Sequence, residues 1–416
     1  MSSPKLRHNI AALGVMQIAN YLIPMATLPY LTRVLGVESY GKMVFIQAVM
    51  AYLVLLVEFG FSWSTTREIA ANRGNQKLIS VIFSTTWAAQ WFLALIASVL
   101  ITLLVLLIPS FKIDARLYAA GMLVVLGSVL FPLWLLQGLE RMREVAVIQV
   151  LSRLVFLPFI FIFVNSPEDL LLLILLFGLG PILAGVVSLL WIRHHRFVDF
   201  QRPVFTQIVK VLYENRILFL SKATISSYTT LIPLILGIVA GPAALAYFSL
   251  ADRIRSAAQS GLSPISQALF PRMSHLYKTD QLAAGKLLRR STFAIACISS
   301  GLSLALWLFA ETIIIILGGA AFGPSATILK WLAVLPLVVS LSNIFGIQIM
   351  LPNQLNRGFN FILVGAGAVC LLLIWPFAKY NGAVGASQII LITELFVTLA
   401  MGLYLWKKNY LSTLFR

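Results

Sequence analysis

The chain has 416 residues, of which 60% are apolar and only 11% charged, against about 25% charged in a soluble domain. A mean hydropathy of +0.94 excludes one water-soluble core large enough to hide that surface, so lipid is the expected solvent for most of it. The net charge of +17 would direct a soluble protein toward nucleic acid. Here the basic residues cluster between apolar stretches, the pattern that sets membrane orientation, and no nucleic-acid partner is expected.

A span needs about 20 apolar residues. The apolar stretches predict spans near 9–32, 40–62, 78–108, 117–137, 145–164, 169–192, 217–240, 243–270, 291–317, 326–351, 359–378 and 383–406. Lys5 and Arg7 precede the first stretch, which is too long for a signal-peptide core and reads as a span. That span carries Pro24 and Pro29; each removes a backbone hydrogen bond and favours a kink, useful either for bending or for static packing. The third stretch is long enough to tilt or project. Most Lys and Arg residues fall in alternate loops, which predicts both termini on the cytoplasmic side and an even number of spans. The longest polar connection, Arg193–Arg216 with Pro203, divides the chain into 1–200 and 201–416, six expected spans each. A faint repeat appears at an offset of 205 residues, setting Gly36 on Gly241, Gln47 on Asp252 and Arg67 on Arg272. Paired bundles of this kind are a common transporter plan.

Charge inside a span is costly and marks candidate function. The eighth span holds Asp252, Arg253 and Arg255 near its middle. Asp252, Arg255 and Gln259 share one helix face, which predicts a wall of a watery cavity; the structural alternative is an ion pair locking two spans. Arg153 enters either the cavity or the cytoplasmic interface by snorkelling. Lys222 follows Arg216 among Ser221, Thr224, Ser226, Ser227, Tyr228, Thr229 and Thr230, a polar neighbourhood that favours the cavity. Lys330 is expected at the outer interface, and Glu311 near a membrane face. Glu58 and Glu394 lie in otherwise apolar spans and are candidates for coupling to a proton or sodium gradient; the alternative is neutralisation by a basic neighbour. Arg67 and Arg272 sit where they would guide an anionic group at the cytoplasmic mouth, or simply obey the positive-inside rule.

Cys297 and Cys370 lie in apolar stretches and read as buried packing residues, with no disulfide framework. His8, His194, His195 and His275 sit near span ends without other ligand types, so no metal is expected. The chain contains no nucleotide-binding loop, no nucleophile elbow and no zinc-protease motif. It is not expected to be an enzyme, and no cofactor is expected. The excess of fixed cations suits an anionic cargo such as a pyrophosphate.

The runs Asn20–Pro24, Leu28–Gly36 and Tyr40-Gly41 resemble the N-terminal signature of the polysaccharide transporter family, the Wzx-type O-antigen flippases of the multidrug/oligosaccharidyl-lipid/polysaccharide superfamily. Further matching runs are Glu58–Phe61, Thr66–Ala70, Pro132–Gly138, Ile254-Arg255, Pro264–Arg272 and Ser340–Gln348. The resemblance implies an all-α integral membrane fold of about twelve helices in two six-helix bundles around a cation-lined cavity. It implies flipping of undecaprenyl-pyrophosphate-linked O-antigen or similar repeat units from the cytoplasmic to the periplasmic leaflet of a bacterial inner membrane. The implied partners are that lipid-linked oligosaccharide, membrane lipid, and the O-antigen polymerase and chain-length regulator. The expected cavity residues are Arg255, Arg253, Asp252, Arg153 and Lys222.

Three alternatives stand beside it. A cation-coupled drug antiporter of the same superfamily predicts an acidic cavity. A membrane-bound polysaccharide polymerase or ligase predicts a large periplasmic loop with catalytic Arg or His. A peptidoglycan-precursor flippase is a near neighbour.

Overall fold

The computed structural model describes residues 4–410; the side chains of 4–21, 221, 224–230, 263–265, 267 and 268 lie outside the described residues, and with them the expectations placed on Lys5, Arg7, His8, Ser221, Thr224, Ser226, Ser227, Tyr228, Thr229 and Thr230. Every regular element among the described residues is helical. The order is α1 (Pro4–Glu58), α2 (Phe61–Ala71), α3 (Gln76–Leu107), α4 (Pro109–Ile113), α5 (Ala115–Leu130), α6 (Leu133–Gly138), α7 (Met142–Phe163), a 3₁₀ turn (Pro167–Asp169) and α8 (Leu170–His194). Then follow α9 (Phe205–Ser260), α10 (Ser263–Thr279), α11 (Gln281–Leu308), α12 (Ala310–Gly318), a 3₁₀ turn (Ala320–Phe322), α13 (Ser325–Leu332), α14 (Leu335–Asn343), a π-helical segment (Ile344–Met350) and α15 (Asn356–Lys407).

Nine stretches among the described residues are long and apolar enough to cross a membrane, which makes this a multi-pass membrane protein. Twelve spans were expected; α1, α9 and α15 each consist of two helical arms that meet at a kink, and each takes up one pair of the expected spans. Each of the three holds one non-helical glycine: Gly36 (φ 68°), Gly241 (φ 84°) and Gly382 (φ 53°). These residues fall where the outer turn of each pair was expected, and only glycine enters that backbone region without strain. The helix α1 continues through Pro24 and Pro29, and its non-helical residue is Gly36.

Two expectations are corrected. The span expected at 243–270 ends at Ser260, with Gly261 and Leu262 as a turn before α10. The connection expected at Arg193–Arg216 is irregular only over about its first half, because α9 begins at Phe205.

By contacts the chain divides into two compact units: Met1–Leu35 with Lys42–Ser226, and Gly36–Gly41 with Ser227–Arg416. In the first, α5 and α8 approach closely, as small residues at a membrane helix interface allow: a Cβ on Gly185 would lie 2.4 Å from Leu130 Cβ. The polar irregular segment after α8 is laid along α3, whose Ser80 and Ser84 hydroxyls accept hydrogen bonds from the backbone N–H groups of Asp199 and Gln201 at 2.9 and 2.8 Å. In the second, Met273, Ile344, Ile349, Met350, Ile362 and Met401 belong to a core shared by α10, the π segment and α15, with Leu288 of α11. The repeat is visible inside the units. α3 and α11 are both started by a side chain that accepts from the backbone three residues on, Asn75 from Leu78 N–H at 3.1 Å and Asp280 from Ala283 N–H at 2.9 Å, and these pairs match at the same offset as Gly36 and Gly241. Such caps satisfy N–H groups that the first helical turn leaves unpaired.

Candidate functional site

In the second unit, Asp252, Arg255 and Gln259 meet on one face of α9, as their spacing dictates. Arg255 donates to Asp252 Oδ1 through Nε at 3.0 Å and through a terminal nitrogen at 2.5 Å. Its other terminal nitrogen donates to Gln259 Oε1 at 2.6 Å, and Ser256 Oγ accepts at 2.8 Å. This is a guanidinium held by its own helix, its fork filled by local acceptors. Neither partner is sealed off: the side chains are 16% and 31% exposed. Arg253 points elsewhere, its guanidinium 5.9 Å from the ring centroid of Tyr40. Tyr40 is fully buried, packs edge-on against Phe322 at 5.6 Å, and its hydroxyl has no hydrogen-bond partner among the described residues.

Glu394 of α15 lies within electrostatic range of Arg255. It borders a cavity of about 220 Å³ with Ser342, Asn343, Ile347 and Thr393. The Thr393 hydroxyl is buried there, with only the Cys370 thiol within reach among the described residues. Arg272 is exposed on α10.

In the first unit, Lys222 donates to Glu58 at 3.3 Å and to the Ser62 hydroxyl. Glu58 is therefore a paired carboxylate here. The pair sits at the corner between α1 and α2, where Phe59 (φ 41°) and Gly60 (φ 83°) turn the chain. Gly60 meets the demand of its φ, and the space there is also tight, since a Cβ would come 3.1 Å from Leu218 Cβ. Phe59 stacks on Phe219 at 4.5 Å, which seats the first arm of α9 against this corner. Lys222 also lies 5.1 Å from the ring centroid of Trp63. Arg67 and Arg153 are exposed, on α2 and α7.

The remaining charges at the expected span limits, and the cysteines, resolve as follows. Lys330 pairs with Glu311 at 2.7 Å. Arg216 stacks on Tyr213 at 3.4 Å. Cys370 is buried, whereas Cys297 is exposed on α11 and is not the buried packing residue expected. Among the described residues no group of His, Cys, Asp and Glu could hold a metal ion.

Sequence reading missed Trp63, Ser62 and Tyr40. Their partners lie on other helices, and no periodicity signals a tryptophan beside a lysine 159 residues later in the chain.

The family model described as "Polysaccharide biosynthesis protein" matches residues 6–277. A relative from Escherichia coli (strain K12) named "Putative O-antigen transporter" is 33% identical over 396 residues, 95% of each chain. A second, of the same name, from Shigella dysenteriae is 31% identical over 95% of this chain and 99% of its own. Among solved structures, the lipid II flippase MurJ in an inward closed conformation aligns with a TM-score of 0.71 at 14% identity, over 98% of this chain and 90% of that one. An inward-facing multidrug resistance MATE family transporter of the MOP superfamily aligns at 0.69 and 16% identity, over 98% of both. On the family match and the near full-length relatives, with a helical fold shared with MOP-superfamily transporters, the chain belongs to the polysaccharide biosynthesis protein family.

Proposed function

We propose that this protein flips undecaprenyl-pyrophosphate-linked O-antigen or similar repeat units from the cytoplasmic to the periplasmic leaflet of a bacterial inner membrane, by alternating access, with both termini cytoplasmic. The observation that carries the reading is the third of positions shared, end to end, with a relative named as an O-antigen transporter. The physical support is the placement of cations within helices. Arg255 is oriented by Asp252 and Gln259 while retaining exposure, so a phosphate can compete for its fork. Arg253, Arg153 and Lys222 add positive charge, and Arg67 and Arg272 serve an anionic head group at the cytoplasmic side. Glu394, beside a cavity and near Arg255, is the better of the two candidates for ion coupling, because Glu58 is committed to Lys222. The O-antigen polymerase and chain-length regulator are the proposed partners downstream.

A cation-coupled drug antiporter shares the fold, but fixed cations repel a cationic drug. The test is the fate of lipid-linked repeat units in cells lacking this gene, complemented with wild type or Arg255→Ala. Accumulation on the cytoplasmic leaflet, with loss of surface polysaccharide and no rescue by Arg255→Ala at normal abundance, is the expected result. Repeat units that still reach the periplasm, with only polymerisation or attachment lost, would replace the flippase reading by a polymerase or ligase.

A further inference from the structure

The face of α2 opposite its buried side carries an arrangement that no transporter motif required. α2 buries Phe61, Thr65 and Ile69, four residues apart, the last against Gly138 of α6. The other face presents Trp63 and Arg67, also four apart and therefore neighbours. Trp63 is 50% exposed and is the one large apolar side chain exposed on α2, all of whose residues are described. A helix face turned to lipid exposes a band of such side chains, as α3 does with Leu95, Val99, Leu103 and Leu106. Trp63 has polar neighbours instead. Lys222 Nζ lies 5.1 Å from its ring centroid and bonds Glu58 and Ser62.

An exposed indole beside a carboxylate, an ammonium and a hydroxyl fits a sugar. The C–H face of a pyranose rests on the negative face of the ring, and its hydroxyls both donate and accept. Arg67 stands about 6 Å further along the helix axis, roughly a sugar ring away from Trp63, and its guanidinium matches phosphate oxygens. We propose that Trp63, with Lys222, Glu58 and Ser62, holds the lipid-proximal sugar of the cargo, while Arg67 holds the diphosphate attached to it. The proposal deepens the flippase reading and rests on it.

The test uses the full chain in lipid nanodiscs and two probes, undecaprenyl diphosphate and the same lipid bearing one N-acetylhexosamine. Wild type should bind the glycosylated probe about tenfold more tightly, the worth of one good aromatic stack. Trp63→Ala should abolish that preference without weakening the bare lipid, and Trp63→Leu, which keeps apolar bulk, should do the same. Trp63→Phe should retain most of the preference. Arg67→Ala should weaken both probes alike. Preference surviving in Trp63→Leu, or undiminished binding by Arg67→Ala, would overturn the assignment. Equal binding of both probes by wild type would remove the sugar subsite and leave the flippase reading standing; binding of neither would remove both.

Discussion

Gly36 and Gly241 hold the same backbone geometry at equivalent points of the repeat, φ 68° and ψ −178° in one, φ 84° and ψ 175° in the other. A Cβ at either position would meet nothing within 4 Å, so the demand on each site is conformational and not spatial. Gly41 is the reverse case: a Cβ there would fall 2.0 Å from the Pro242 carbonyl oxygen.

Gly36→Ala and Gly241→Ala should therefore each cost about 1–3 kcal/mol, the strain of a side chain at positive φ and extended ψ, and their effects should add. Gly41→Ala should instead prevent accumulation of folded protein. Thermal unfolding in detergent, with membrane abundance measured alongside, separates the two classes. A neutral Gly41→Ala would show that the Gly41–Pro242 contact relaxes easily.

Asp252 and Arg255 make a second prediction. Removing Asp252 strands a half-buried guanidinium, at a cost of about 2 kcal/mol, somewhat below that of a sealed pair. Asp252→Ala should lower abundance, and the double variant Asp252→Ala with Arg255→Ala should restore it. Neither should restore surface polysaccharide. Abundance by immunoblot and polysaccharide by gel give the two readouts; a double variant as scarce as the single would mean that Asp252 has other work.

Glu394→Gln should fold normally, because the side chain borders a cavity already lined by Asn343, Ser342 and Thr393. Its expected defect is in energy coupling. Transport into inverted vesicles should stop responding to an imposed proton or sodium gradient, and an unchanged response would remove Glu394 from that role.

The α5–α8 contact supplies the last prediction. Gly185→Ala pushes a methyl to 2.4 Å from Leu130 Cβ and should cost about 1–3 kcal/mol by overpacking. Gly301→Ala, on α11 with open space around it, should be neutral or stabilising by up to about 1 kcal/mol from helix propensity. Unfolding midpoints of both variants in one detergent decide it.

What could be read from sequence was what depends on local periodicity. The Asp252–Arg255–Gln259 face follows from three- and four-residue spacing, and the helix beginning at Gln76 was placed within two residues of its expected start. The pairing of Gly36 with Gly241 came from matching the halves, and it held because a backbone that needs glycine tolerates little else. Contacts between distant segments were not legible. Glu58 and Lys222 are far apart in sequence, and only folding shows that one neutralises the other. Trp63 looked like any membrane tryptophan until its neighbours were known. The division of α1, α9 and α15 into paired arms was also legible, because a glycine between apolar stretches reads as a turn, and at Gly36, Gly241 and Gly382 the backbone leaves the helical region.

The π-helical segment Ile344–Met350 lines the Glu394 cavity through Ile347 and anchors α10 through Gln348, whose Nε2 donates to the Ser266 carbonyl at 2.9 Å. A π turn is wider than an α turn, and rewinding seven residues from one to the other would rotate the chain beyond them by about a third of a revolution. Gln348 would swing off Ser266 and Ile347 off the cavity together. The segment is thus a stored twist, in which the shape of the Glu394 cavity and the grip on α10 are set by a single winding number.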